Sequence, residues 1–350
     1  MMPEGPEPAA VVVLACRDLP ACLAFFGEIG FRLDTIFPAD EPRSASLSGF
    51  GLRLCLERSE HDGGGHLRLP GVRPDATAPN GARIEFVGGP RETPAFPPAT
   101  FAVSEPAADA RWAEGRSGML YRDLIPGRQG GALIASHIRI PRGGPVPDYV
   151  HHHRVTAQVI YCLRGSVRVV YEDQGEPFVM QAGDCVLQPP GIRHRVLESS
   201  DGLEVIEVTS PALHETCVDH ELALPTNAHR PERQFAGQRF VRHEAARARW
   251  QAHAWQGWRA CDTGIGSATA GACTVRMLRA EAGAQPVAFE HAASHVFWFV
   301  VRGALQFAHG AEAYVLRAGD ACLLPSRAPI TLREPAGDLE LLEVALVNGQ

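Results

Sequence analysis

Residues 165–196 read GSVRVVYEDQGEPFVMQAGDCVLQPPGIRHRV, and residues 303–332 read GALQFAHGAEAYVLRAGDACLLPSRAPITL. Gly165 aligns with Gly303, and Ala182-Gly183-Asp184 with Ala318-Gly319-Asp320. Each copy closes on a similar strand, LEVIEV at 203–208 and LELLEV at 339–344. Each also opens after a tryptophan and an aspartate, Trp112 and Asp123 in one, Trp255 and Asp262 in the other. Short alternating segments separated by Gly, Pro and Asp turns are the pattern of a sandwich or barrel. Two copies of about one hundred residues predict a duplicated barrel.

The rest of the chain is organised around that duplication. VVVLA at 11–15 reads as a buried strand after a frayed tail at 1–9. Asp18 caps a helix over Leu19–Gly30, and alternating segments follow at Phe31–Phe37, Ser44–Leu56 and Ala82–Val87. Residues 10–88 therefore predict a small α+β module of βαβββ order. Residues 89–110 are a linker rich in Pro and Gly. The first barrel is expected over 111–212 and the second over 255–347. Between them, 213–254 is a polar connection in which His243–His253 has the pattern of a short helix. The expected class is mainly β, two barrels behind one α+β module.

Composition excludes several functions. The chain has 350 residues and a net charge of −7 with no basic stripe, which argues against a nucleic-acid partner. It has no lysine, so Schiff-base chemistry and a phosphate-loop lysine are excluded. Nine cysteines, an odd number without a C-x-x-C, read as reduced thiols of a cytoplasmic protein. No apolar stretch is long enough to span a membrane, and the N-terminus lacks the basic flank of a signal peptide.

The chemistry concentrates in the first copy, at HHHRVTAQVIYCLRG (151–165) and GDCVLQPPGIRH (183–194). On a strand, alternate side chains share a face, so His151 and His153 point one way and His152 the other. Gln158 begins the next strand, and His194 follows a proline-glycine corner. Three imidazoles and a side-chain carbonyl suit one borderline divalent ion, Fe, Mn, Ni, Cu or Zn. Four protein ligands would leave two octahedral positions open. Tyr149 shares the face of His151, and Glu198 that of His194 if the strand is regular; either is a candidate general acid or base. Gln188 is a weaker candidate, and Cys162 reads as core. In the second copy the corresponding residues are Phe289, His291, Val296 and Ile330, so only one ligand survives, with His295 beside a lost position.

The spacing H-x-H-x4-Q-x6-G from His151 to Gly165 resembles the first cupin motif, and G-x5-P-x-G-x2-H from Gly183 to His194 resembles the second. Two departures stand out: Gln158 occupies a position that is often Glu, and Gly144 lies one residue early. The resemblance implies a metal held by His151, His153, Gln158 and His194 inside a barrel, in a bicupin with one working site. The segment VVVLACRDLPACLAFFGEIGFRLDTIF resembles a half-module of the glyoxalase/bleomycin-resistance (vicinal oxygen chelate) superfamily, though Val11 stands where metal-binding members often place His. One carboxylate, Glu57, is not a site.

A neutral Gln in place of a carboxylate lowers metal affinity and raises Lewis acidity. The leading expectation is a metal-dependent enzyme on a small organic metabolite, a dioxygenase or a Lewis-acid isomerase, cyclase or lyase. The alternative is a non-catalytic small-molecule or metal sensor. An unpaired half-module argues for a homodimer.

Overall fold

A computed structural model describes residues 10–28, 31–49, 52–60, 63–70, 74–77, 83–87, 96–104, 112–333, 335 and 337–347. The tail at 1–9, the helix end at Gly30, Ala82 and much of the expected linker lie outside these. The chain divides into two compact units: Met1–Ala95 with His214–His220, and Phe96–Leu213 with Glu221–Gln350.

In the first unit, helix Leu19–Glu28 starts where Asp18 Oδ1 accepts the Ala21 N–H at 2.9 Å, satisfying a donor that the first helical turn leaves orphaned. Leu19 packs with Cys16, Leu47, Leu54 and Leu56. The strands lie in the order Thr216–Val218, Arg32–Phe37, Ser44–Gly49, Leu52–Arg58, Val11–Cys16, Gly63–Pro70, Arg83–Val87 and Ala76–Thr77. Val11–Cys16 runs parallel to Leu52–Arg58. The single segment expected at Ser44–Leu56 is a hairpin of two strands. Gly63–Pro70 was not expected, because three consecutive glycines dilute its alternation.

The larger unit contains the duplication. Each half is a pair of sheets packed face to face, a jelly roll rather than a cylinder closed by hydrogen bonds. In the first half, one sheet runs Val241–His243, Cys185–Leu187, Ala157–Arg164, Leu203–Ser210, Ile134–Ile140, Leu120–Asp123, Ala113–Glu114. It faces Phe178–Gln181, Ser166–Tyr171, His194–Ser199 and His151–His153. The second half repeats this with Gln251–Ala252, Trp258–Asp262, Cys273–Ala280, Glu340–Leu346, His295–Arg302 and Ala321–Pro325 opposite Val287–Phe289, Ile330–Leu332, Ala304–His309 and Glu312–Arg317. The copies agree in detail. Arg139 meets Glu204 at 2.9 Å and Arg279 meets Glu340 at 3.1 Å, at the same register. Gly165 and Gly303 both have φ near +77°, and a Cβ would strike Ser200 Oγ at the first and the Leu339 backbone at the second.

Two expected connections are structured. Ala102–Ser104, in the expected linker, pairs with Ala321–Leu323 of the second jelly roll. In the connection at 213–254, Val241–His243 joins the first jelly roll and Gln251–Ala252 the second. The helix expected over His243–His253 is only a 3₁₀ turn, Ala245–Arg247. There the Ala245 N–H is taken by Asp184 Oδ1 at 2.8 Å, and edge-strand pairing consumes the flanking backbone.

Strand alternation sorts the side chains into three cores. In Ala157–Arg164 the odd residues Ala157, Val159 and Tyr161 pack against Phe297, Phe299, Val344 and Leu346 of the second jelly roll. Cys162 faces the interior of the first, with Val167, Val169 and Met180. In His295–Arg302, Val296, Trp298 and Val300 fill the second interior. The two large sheets thus bury their outer faces on each other. Phe299→Ala should destabilise the larger unit by about 3–5 kcal/mol through the cavity it leaves. Val315→Ala, at a residue 46% exposed, should change stability by less than about 0.5 kcal/mol. Denaturant midpoints measured on both variants check this.

Candidate metal centre

His151–His153 is a three-residue strand with His151 and His153 buried and His152 partly exposed. His151 lies directly opposite His194 in the antiparallel pair. The corner before His194 is closed by the Ile192 N–H on Pro189 O at 3.2 Å and needs Gly191, whose φ is +78°. The Gly191 N–H in turn reaches His153 O at 3.2 Å, tying the two motifs together. The His151, His153 and His194 rings lie 4.3–5.2 Å apart between centroids. One nitrogen of each lies within 4.8 Å of the others, the only such group of three among the described residues.

The donors are oriented. His151 Nδ1 is 2.8 Å from the Tyr149 carbonyl, and His194 Nδ1 is 3.0 Å from the Ile192 carbonyl. A carbonyl only accepts, so each Nδ1 carries the proton and each Nε2 keeps its lone pair, the usual preparation of a metal-binding imidazole. Burial, reinforced by the Arg116 guanidinium, pushes His151 well below the ordinary histidine range. Burial likewise lowers His194 to about 4. Gln158, 2% exposed, donates its Nε2 to Glu207 Oε1 at 3.2 Å, which leaves Oε1 as its free donor. The donor set therefore fits a borderline divalent ion.

His153, Gln158 and His194 open onto a cavity walled by apolar side chains, among them Ile138, Ile160, Val167, Val169 and Val205. Gln188 also lines it and donates to the Tyr171 hydroxyl at 2.9 Å. Cys162 sits in the core as expected, its thiol pushed up to about 12 by burial.

Neither expected acid-base candidate stands in the cavity wall. Glu198 is exposed, because a bulge at Leu197 breaks the alternation: Arg168 pairs with Glu198, but Val169 pairs with Val196. Val196 therefore follows His194 inward and Glu198 turns out. Tyr149 meets the His151 ring edge-on, with centroids 6.0 Å apart, and burial raises its hydroxyl pKa. Its contribution to the site is its carbonyl.

Three other residues carry charge at the site. Glu207 lies inward at the position equivalent to Glu343, and alternation from Leu203 and Val205 in LEVIEV would have found it. Arg116, from the turn after strand Ala113–Glu114, places Nη2 2.8 Å from His151 Nε2 and Nη1 on Asp148. Asp148 is buried and accepts the Val196 N–H at 2.9 Å. Nothing local marks Arg116, since its partners lie more than thirty residues away.

In the second jelly roll, Phe289 faces Ile330 where His151 faces His194. Its inner carboxylate, Glu343, is 1% exposed and is held by Arg276 Nε at 2.8 Å and by Trp298 Nε1 at 2.9 Å. By register Arg276 replaces Ser136, so a guanidinium supplies positive charge inside this copy. His291 accepts the Ala293 N–H on Nδ1 at 3.0 Å, the reverse of the His151 arrangement. His295 alternates onto the face opposite Val296.

Arg276→Ala should cost about 3 kcal/mol, since it strands the Glu343 carboxylate; the figure is at the low end because Arg276 is 32% exposed. Chemical denaturation reads this. Histidines held below their unfolded value of about 6.5 add stability above that pH and lose it as pH falls toward the folded value. With chelator present, the denaturation midpoint should fall between pH 6.5 and about 4, and less steeply in His194→Gln.

Residues 136–209 match the family described as Cupin domain. No curated protein matches the chain. Among solved structures, oxalate decarboxylase from Bacillus subtilis at pH 4.6 aligns with a TM-score of 0.50 and 14% identity, over 69% of this chain and 75% of that one. A tryptophan-to-phenylalanine variant of the same enzyme gives 0.51 and 14%, over 69% and 76%. A structure concerned with the Mn(II) centres of that enzyme gives 0.50 and 15%, over 69% and 76%. At such identities the likeness is one of fold. Residues 136–209 are thus similar to the Cupin domain family, and they lie in a larger unit whose fold is similar to that of oxalate decarboxylase.

Proposed function

We propose that the first jelly roll is a metal-dependent enzyme centre acting on a small organic metabolite, with His151, His153, Gln158 and His194 holding one divalent ion. The observation that carries this reading is the pair of Nδ1–H clamps on His151 and His194, which leave both Nε2 lone pairs unprotonated within a buried group of three imidazoles. A bound ion would supply a Lewis-acid or redox centre beside the cavity. The apolar wall favours a substrate with a hydrocarbon body and would exclude water from it. Glu207, bonded to Gln158 and to the Thr209 hydroxyl, is the best placed carboxylate to hold a proton near the reacting atoms. Dioxygenation and Lewis-acid isomerisation, cyclisation or elimination all suit this layout. Manganese gains support from the likeness to oxalate decarboxylase.

Within the same reading, the first unit is a glyoxalase-like half-module, consistent with Val11–Cys16 lying parallel to Leu52–Arg58, and serves to pair two chains as a homodimer. The nine free cysteines fit a cytoplasmic protein, and among the described residues no helix is long and apolar enough to cross a membrane.

A binding-only sensor is the competing reading, favoured by a second copy whose ligand positions include Phe289, Val296 and Ile330. Metal analysis of protein purified without chelator, followed by turnover assays with Fe(II), Mn(II) and Ni(II) on small organic acids and enols, separates them. His151→Ala and His194→Ala should lose the metal and at least a hundredfold in turnover, on the order expected for removing metal catalysis, while their circular dichroism is unchanged. Metal content equal to the parent in both variants would refute the site. Metal binding without turnover on any substrate would favour the sensor.

A further inference from the structure

The Arg116 side chain is 10% exposed and its three nitrogens have different fates. Nη1 is held by Asp148, itself fixed by the Val196 N–H. Nη2 lies 2.8 Å from His151 Nε2, the lone pair that the metal reading requires. Nε is buried with no hydrogen-bond partner. A single lone pair cannot serve both a guanidinium and an ion, so a metal on His151 frees Nη2. Nε–H and Nη2–H form one edge of the planar guanidinium, the fork that receives both oxygens of a carboxylate. Asp148 binds the remaining nitrogen and leaves this edge to His151 alone, and Arg116 is among the residues that line the cavity.

We infer that Arg116 is a recognition residue parked on His151, and that the substrate is an organic acid whose carboxylate takes the Nε/Nη2 edge while a second oxygen reaches the metal centre and an apolar body lies against Ile138, Ile160 and Val167. The inference rests on the metal reading above. It makes two linked statements. Arg116 competes with metal for His151, and Arg116 selects acids over neutral analogues. A buried, charge-assisted fork is the kind of contact whose loss leaves the ligand's charge unpaired, and ten- to a hundredfold is the usual scale.

The test uses the full chain, Zn(II) as a redox-inert probe, and the matched pair 2-hydroxybenzoate and 2-hydroxybenzamide, which offer the same second oxygen. Zn(II) affinity is read by competition with a chromophoric chelator, and ligand affinity by calorimetry on the Zn-loaded protein. Arg116→Gln should bind Zn(II) several-fold more tightly and 2-hydroxybenzoate about ten- to a hundredfold more weakly, with the amide little changed. Arg116→Lys keeps a positive charge for Asp148 but lacks the fork. It guards against misfolding of the Gln variant and should show the same loss of acid selectivity. Unchanged Zn(II) affinity and unchanged acid-to-amide preference in a folded variant would overturn the inference, as would a Zn-loaded parent with no preference for the acid. If His151→Ala and His194→Ala bind Zn(II) as the parent does, the metal reading itself has failed instead.

Discussion

Strand Ala157–Arg164 has no solvent face in its middle. Ala157, Val159 and Tyr161 are locked into the seam between the two jelly rolls, so the intervening residues must point into the first interior. This double burial fixes the register of Gln158, because a slip by one residue would exchange an amide for apolar side chains on both sides at once. The seam is therefore more than a way to cover apolar sheet. It holds one proposed donor, Gln158, in place from behind, while the short strand His151–His153 and the corner at Gly191 bring the three histidines from the facing sheet.

The electrostatics of the site follow from what that interior encloses. Reading Gln158 alone suggests an ion more electrophilic than one held by a carboxylate. In three dimensions the missing charge reappears one step outward on Glu207, reached through the Gln158 amide. Arg116 and Asp148 form a second pair beside His151, with Arg116 on its Nε2. The proposed donors are thus a neutral set flanked by charges of both signs, a layout that would moderate affinity without putting a carboxylate on the ion. The second jelly roll solved the same problem differently, balancing its inner glutamate with Arg276 and a tryptophan N–H.

The duplication, the turns at Gly165 and Gly303 and the convergence of His151, His153 and His194 were legible because each depends on local spacing: period two along a strand and a glycine where φ is positive. Glu198 misled because period two holds only while pairing is regular, and the extra residue at Leu197 lies in one strand with nothing in its own sequence to announce it. Arg116 and Asp148 were invisible for another reason. Their meaning lies in contacts with each other and with His151 that only the folded chain creates. The polar connection read as partly helical for a similar reason. Strands as short as Val241–His243 and Gln251–Ala252 carry no period and exist because a sheet edge is there to receive them.

The pairing of Ala102–Ser104 with Ala321–Leu323 has a consequence in time. This segment leaves the ribosome before any of the first jelly roll, yet its partner strand is made only after the whole of that jelly roll. Until then its backbone donors and acceptors have only water or a wrong edge to bond. The first jelly roll can mature during synthesis, whereas the sheet that seals its outer face closes only when the later strands of the second jelly roll arrive. Assembly of the metal-binding half is therefore a matter of early local events, and its final protection is a late, long-range one of the kind that slows β-rich chains.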